Sequence, residues 1–158
     1  LRLFLKCCEL TKSPVHHIKP HGALYNDLFH DAAKVEVFVA VIKTLLPQAK
    51  LYCSPGSLLE KEALRSGIQV KREGFMDRTY NEDGTLRSRL LAGAVLTDLD
   101  EVGSHVLSVV KDQALPVFGG GYIPLSVQTL CLHGDHPQAV ELIQTVNRLL
   151  KLNGIDVH

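Results

Sequence analysis

The chain has 158 residues, of which 46% are apolar, enough for one domain with a sizeable core. Its 17 basic and 17 acidic side chains balance, and Lys and Arg are scattered singly rather than gathered in a stripe, which argues against nucleic acid as a partner. No apolar run approaches the ~20 residues of a membrane-spanning helix, so no membrane partner is expected.

The length falls short of the ~250 residues of a complete eight-fold barrel. The opening stretch, Leu1 to Leu10, reads as the end of an amphipathic helix and carries no initiating Met, so a fragment of a larger fold is expected. It also lacks the charged-apolar-small order of a secretory signal. Cys7, Cys8, Cys53 and Cys131 show neither the paired spacing of a zinc site nor the density of a disulfide scaffold. They read as reduced thiols, and a cytoplasmic location is expected.

Short β-branched runs alternate with longer helical ones, the pattern of a parallel α/β fold. After Ser13-Pro14 a first strand is expected over Val15 to Lys19, followed by a turn at Pro20 and Gly22. Asp31 is placed to cap a helix whose apolar positions Val35, Phe38, Val39, Ile42, Leu45 and Leu46 recur at helical spacing, and Pro47 stops it. Lys50 to Cys53 reads as a second strand. Ser57 with Glu60 reads as a capping box for a helix that Gly67 closes.

Ile68 to Arg72 is the third expected strand, and Glu73 to Gly93 has no sustained period and reads as a long loop. A helix from Asp98 to Lys111 follows. The Gly119-Gly120-Gly121 segment reads as a tight bend or hairpin tip, because a phosphate loop needs Gly-Lys-Ser or Gly-Lys-Thr running into a helix and Tyr122-Ile123-Pro124 follows instead. Val127 to Leu132 is the last expected strand, and Asp135 is placed to cap a helix entered through Pro137 and ended by Gly154. Without a linker, repeat or low-complexity segment, residues 1–158 read as a single domain.

Three polar runs stand directly after expected strands: Lys19-Pro20-His21-Gly22, Asp77-Arg78-Thr79-Tyr80 and His133-Gly134-Asp135. In a parallel sheet all strand C-termini open on one face, so such endings are candidates for a shared pocket. Lys19 and His21, alternate residues of an extended stretch, offer a cation beside a switchable base; the competing reading is a surface Lys and a His bonded to the turn backbone. Asp77 offers a base, a metal ligand or an acceptor, and Arg78 a bidentate receptor for carboxylate or phosphate, against a pair that only organises the loop. Asp135 doubles as a helix cap. His133, a polar ring ending an apolar strand, calls for a partner or a metal. His16 and His17, being adjacent, are expected to face opposite sides.

These runs resemble the successive motifs of the LamB/YcsF family, the family of the 5-oxoprolinase A subunit. The resemblance rests on Ile18 to Asn26, on Glu73 to Tyr80 leading through Gly84-Thr85-Leu86 to Arg89, and on Cys131 to Asp135, in the family's order. Met76 stands where the family often has Ala, and Leu132 where Val is usual. Family motifs upstream of the Lys-Pro-His-Gly run are not present in this sequence. The resemblance therefore implies the C-terminal part of an irregular, deacetylase-like β/α barrel, with parallel strands alternating with helices and the N-terminal strands missing.

The resemblance further implies ATP-dependent opening of the 5-oxoproline lactam to L-glutamate, with ATP and Mg as cofactors and subunits B and C as partners. Within it Lys19, His21, Asp77, Arg78, His133 and Asp135 are candidate catalytic residues, and Tyr25 and Asn26 candidate substrate-binding ones. A bound divalent metal has His21, Asp77 and His133 as candidate ligands. Two other readings stand beside it: a metal-dependent amide or ester hydrolase that needs no ATP, and a non-catalytic truncated chain.

Overall fold

The computed structural model describes residues 1–157, which form two compact units. The first holds Leu1–Cys53 and Ser57–Lys71, the second Ser54–Gly56 and the chain from Arg72 onward.

The first unit opens with α1 (Arg2–Thr11), none of whose residues is buried; Lys12 ends it in the left-handed conformation, φ 54°. β1 (His17–Ile18) is shorter than the expected five residues. Pro14 and Pro20 flank it and bring no N–H to a ladder. The expected turn after it contains a short helix, α2 (Ala23–Asp27), entered through Gly22 at φ 58°. α3 (Ala32–Leu45) starts where Asp31 accepts the Lys34 N–H at 3.1 Å.

β2 (Lys50–Cys53) matches its expected bounds and pairs in parallel with β1, His17 opposite Lys50. α4 (Leu58–Arg65) starts where Ser57 Oγ accepts the Glu60 N–H at 3.1 Å, a cap worth ~1 kcal/mol. Leu28, Val35, Val39, Ile42, Leu51, Leu59 and Ile68 form the core between these helices and strands. The apolar spacing on α3 that marked it as a helix is thus the face it buries.

β3 (Val70–Phe75) starts in the first unit and ends in the second, three residues beyond its expected end. Glu73 and Gly74 disguise that extension, which is held by parallel pairing of Glu73, Gly74 and Phe75 with Thr129, Leu130 and Cys131. In the second unit α5 (Leu99–Val110) begins where Asp98 accepts the Asp100 and Glu101 N–H groups. β4 (Ala114–Pro116) and β5 (Tyr122–Pro124) form an antiparallel hairpin with Gly119, Gly120 and Gly121 all at positive φ in its tip. β6 (Thr129–Cys131) is followed by α6 (Ala139–Leu152). The hydrogen-bonded strand order is β1-β2-β3-β6.

Asp135 does not cap α6. Gln138 occupies the cap position without a side-chain bond, and His136 Nδ1 accepts the Gln138 N–H at 3.1 Å. Asp135 instead faces Arg89. The core of this unit joins Val102 and Val106 of α5 to Leu142, Val146 and Leu150 of α6, with Met76 and Leu96. Each helix contributes residues four apart, one face apiece. Among the described residues no disulfide joins the cysteines, and no helix is long and apolar enough to cross a membrane.

Candidate active site

The end of β3 is held from several sides. The Phe75 N–H donates to the Tyr80 hydroxyl at 2.9 Å, and its carbonyl accepts from His105 Nε2 at 3.0 Å. Burial pushes the Tyr80 phenol up and the His105 imidazole down, so both rings are neutral. The Met76 N–H donates to Cys131 O at 2.9 Å, and the Asp77 carbonyl accepts the Leu96 N–H at 3.0 Å. Gly74 lets this strand lie close to its neighbours, since a Cβ there would stand 3.1 Å from Val127 and 3.2 Å from Val109.

This frame fixes Asp77, whose side chain is 2% exposed, against His133, 26% exposed. His133 Nδ1 lies 3.0 and 2.9 Å from the two Asp77 oxygens. A carboxylate accepts only, so Nδ1 carries a proton, and whenever the ring is neutral its lone pair is on Nε2. Phe75 stacks on the imidazole with ring centroids 5.3 Å apart. A base oriented by a buried carboxylate is the arrangement that takes a proton from water or another nucleophile.

Arg78 is turned to its own loop. Nε donates to Ala94 O at 3.1 Å and Nη2 to Arg87 O, and the residue is only 6% exposed. Burial, with the charge of Arg89, lowers its hold on the proton. Of the two sequence readings, the geometry matches the loop-organising one. Asp135, two residues beyond His133, is exposed and paired with Arg89 at 3.0 Å, which holds its carboxyl below the usual range. Sequence reasoning placed Arg89 only at the tail of a motif and gave it no role; its ion pair joins positions 46 residues apart.

In the first unit Lys19 is half-buried with Nζ 5.8 Å from the centroid of the buried Tyr25 ring, a cation–π arrangement, while His21 and Asn26 are exposed. His16 and His17 do not diverge as expected: their Nδ1 atoms are 3.2 Å apart, and His17 stacks on Tyr52 at 4.1 Å.

Among the described residues no three His, Cys, Asp or Glu side chains are grouped to hold a metal. Both Asp77 oxygens face the His133 N–H, so these residues alone do not fit a divalent ion. The glycine hairpin leads into a strand and supplies no phosphate-binding helix start.

The sequence profile of the LamB/YcsF family matches residues 2–158. The chain belongs to the LamB/YcsF family. Among LamB/YcsF relatives, the 5-oxoprolinase A subunit of Heliobacterium modesticaldum is 42% identical over 143 residues, covering 90% of this chain and 56% of that protein. The Thermus thermophilus protein of the same name is 34% identical over 157 residues, covering 99% and 62%. A crystal structure of a lactam utilization protein, also from Thermus thermophilus, superimposes with a TM-score of 0.84 at 31% identity, over 96% of this chain and 60% of that one. That likeness bears out the expected α/β fold of parallel strands alternating with helices, part of a β/α barrel. The chain thus spans about three-fifths of the length of the LamB/YcsF proteins it matches.

Proposed function

We propose that this chain takes part in opening the lactam of 5-oxoproline to L-glutamate as a cytoplasmic 5-oxoprolinase A subunit, ATP-dependent with Mg, working with subunits B and C. The observation that supports the chemistry is the Asp77–His133 pair. The substrate follows from the relatives, which are named as 5-oxoprolinase A subunits.

In this reading His133 Nε2 takes the proton of a water whose oxygen forms a bond to the lactam carbonyl carbon. The ring C–N bond breaks, and the proton passes to the departing nitrogen, leaving the amino group and new carboxylate of glutamate. Asp77 holds the ring in the tautomer that accepts the proton and stabilises the imidazolium once it forms. ATP, when bound to the assembled subunits, would supply the free energy for opening a stable amide. Lys19, a candidate from the family resemblance, is proposed to balance charge that develops on phosphate or on the substrate carboxylate.

The test is glutamate release from 5-oxoproline by this chain assayed with subunits B and C, with and without ATP. His133→Ala is expected to lower turnover by about 10²–10⁴-fold, and Lys19→Ala to lower it as well. Undiminished turnover in His133→Ala would sink the proton-transfer role. Turnover that needs no ATP and is lost to a chelator would point instead to a metal-dependent hydrolase. Lactam binding without turnover would point to a non-catalytic chain.

A further inference from the structure

The sequence places the receptor for an anionic group at Arg78, but that guanidinium is buried and donates to the carbonyls of Ala94 and Arg87. The neighbouring cation is differently disposed. Arg89 keeps 45% of its side chain exposed and makes one monodentate contact, Nη1 to Asp135 Oδ2 at 3.0 Å, with a carboxylate that is itself 70% exposed. A guanidinium offers a planar fork that matches both oxygens of a carboxylate, and a single bond to a solvated Asp leaves most of that capacity unused. Exposed pairs of this kind contribute little to stability, so exchanging Asp135 for another anion costs the fold little.

Arg89 also stands on a fixed base. The Arg87 N–H donates to Thr79 O at 3.0 Å, Arg87 Nε donates to Ala92 O at 3.0 Å, and the Arg87 guanidinium lies 3.7 Å from the centroid of Phe118. The loop is therefore anchored immediately before Arg89. Its ion-pair partner is two residues from His133, a chain distance of at most ~7 Å. The Arg89 fork is thus held at the same segment that carries the imidazole Asp77 orients.

We infer that Arg89 is the receptor for a carboxylate on the ligand handled at His133, and that Asp135 is the counter-ion this carboxylate displaces. The inference rests on the lactam reading for the ring that carries the carboxylate, but not for the anion site itself. Asp135 then acts as an internal competitor: it holds Arg89 in place when the site is empty and disfavours neutral ligands that cannot replace it.

The test is calorimetric titration of the chain with three compounds: 5-oxoproline, its neutral amide, and tetrahydrofuran-2-carboxylate, which has the anion and a five-membered ring but no lactam. The unmodified protein is expected to prefer 5-oxoproline to the amide by about ten-fold or more. Arg89→Gln is expected to abolish that preference while leaving the amide's affinity unchanged. Asp135→Asn is expected to tighten 5-oxoproline several-fold, an effect that a merely structural ion pair would not produce. Both side chains are exposed, so the variants should keep the fold, which circular dichroism checks. Equal binding of acid and amide by the unmodified protein, a preference that survives Arg89→Gln, or weakening by Asp135→Asn would each overturn the inference. Arg89-dependent binding of the tetrahydrofuran acid equal to that of 5-oxoproline would uphold the anion site and remove the lactam reading. Equal binding of both lactams would do the reverse, and binding of none would remove both.

Discussion

At the scale of single residues, the proposed proton transfer turns on which atom of His133 holds a proton. Both Asp77 oxygens lie within 3.0 Å of Nδ1, so one tautomer is fixed by charge as well as by hydrogen bonding. Asp77→Asn keeps the size of the side chain and one acceptor but removes the charge. A similar loss in a catalytic triad lowers turnover by about 10⁴-fold. We expect a fall of about 10²–10⁴-fold here, and ¹⁵N shifts of the His133 ring that report a single Nδ1–H form in the unmodified protein and a mixture in Asp77→Asn. A single tautomer in both would remove Asp77 as the orienting group.

At the scale of elements, the loop between Asp77 and Leu96 is a structure in its own right rather than slack chain. Gly93 sits at φ +70°, and a Cβ there would run into the Phe118 ring on which Arg87 rests. Gly93→Ala is expected to destabilise the protein by about 2 kcal/mol, left-handed strain accounting for ~1–2 of it; chemical denaturation followed by circular dichroism measures the change. Little of this loop was legible in the sequence, because its order comes from side chain-to-backbone bonds of Arg78, Thr79 and Arg87 that have no period. The longer helices were legible because apolar spacing and caps are local: Asp31 and Ser57 accept N–H groups at the helix starts expected of them. Asp135 misled for the same reason, since a good capping residue by local rules is diverted by a partner 46 positions away. His133 was legible as a ring needing a partner, but the partner itself came from a different strand end.

At the scale of the whole molecule, stability should depend on pH through His105. Burial lowers its pKa from the ordinary 6.5, against the opposing pull of the Phe75 carbonyl. The folded protein therefore holds the ring neutral, while the unfolded chain binds a proton below about pH 6.5. The stabilisation is complete above that value and falls as pH drops through it. Carboxylates held low by their partners, Asp31, Glu62 and Asp135, begin from ordinary values of 3.8, 4.5 and 3.8 and act at more acid pH. His105→Gln, which retains a donor for the Phe75 carbonyl, is expected to flatten the pH dependence of urea unfolding between about pH 7.5 and pH 5. An unchanged slope would show that His105 is not its source.

The neck of the loop has an evolutionary consequence. The Leu96 N–H closes on the Asp77 carbonyl, and the Thr79 N–H closes on Ala94 O, so the chain leaves and re-enters the frame at one point. Lengthening such a loop costs only slowly growing closure entropy. The tip that carries Arg89 can therefore be lengthened, shortened or rewritten while Asp77 and His133 stay where they are. With the roles proposed for Arg89 and His133, ligand choice and bond-breaking chemistry are physically separable, and new specificities can arise in this fold by exchanging about a dozen residues rather than by rebuilding a site.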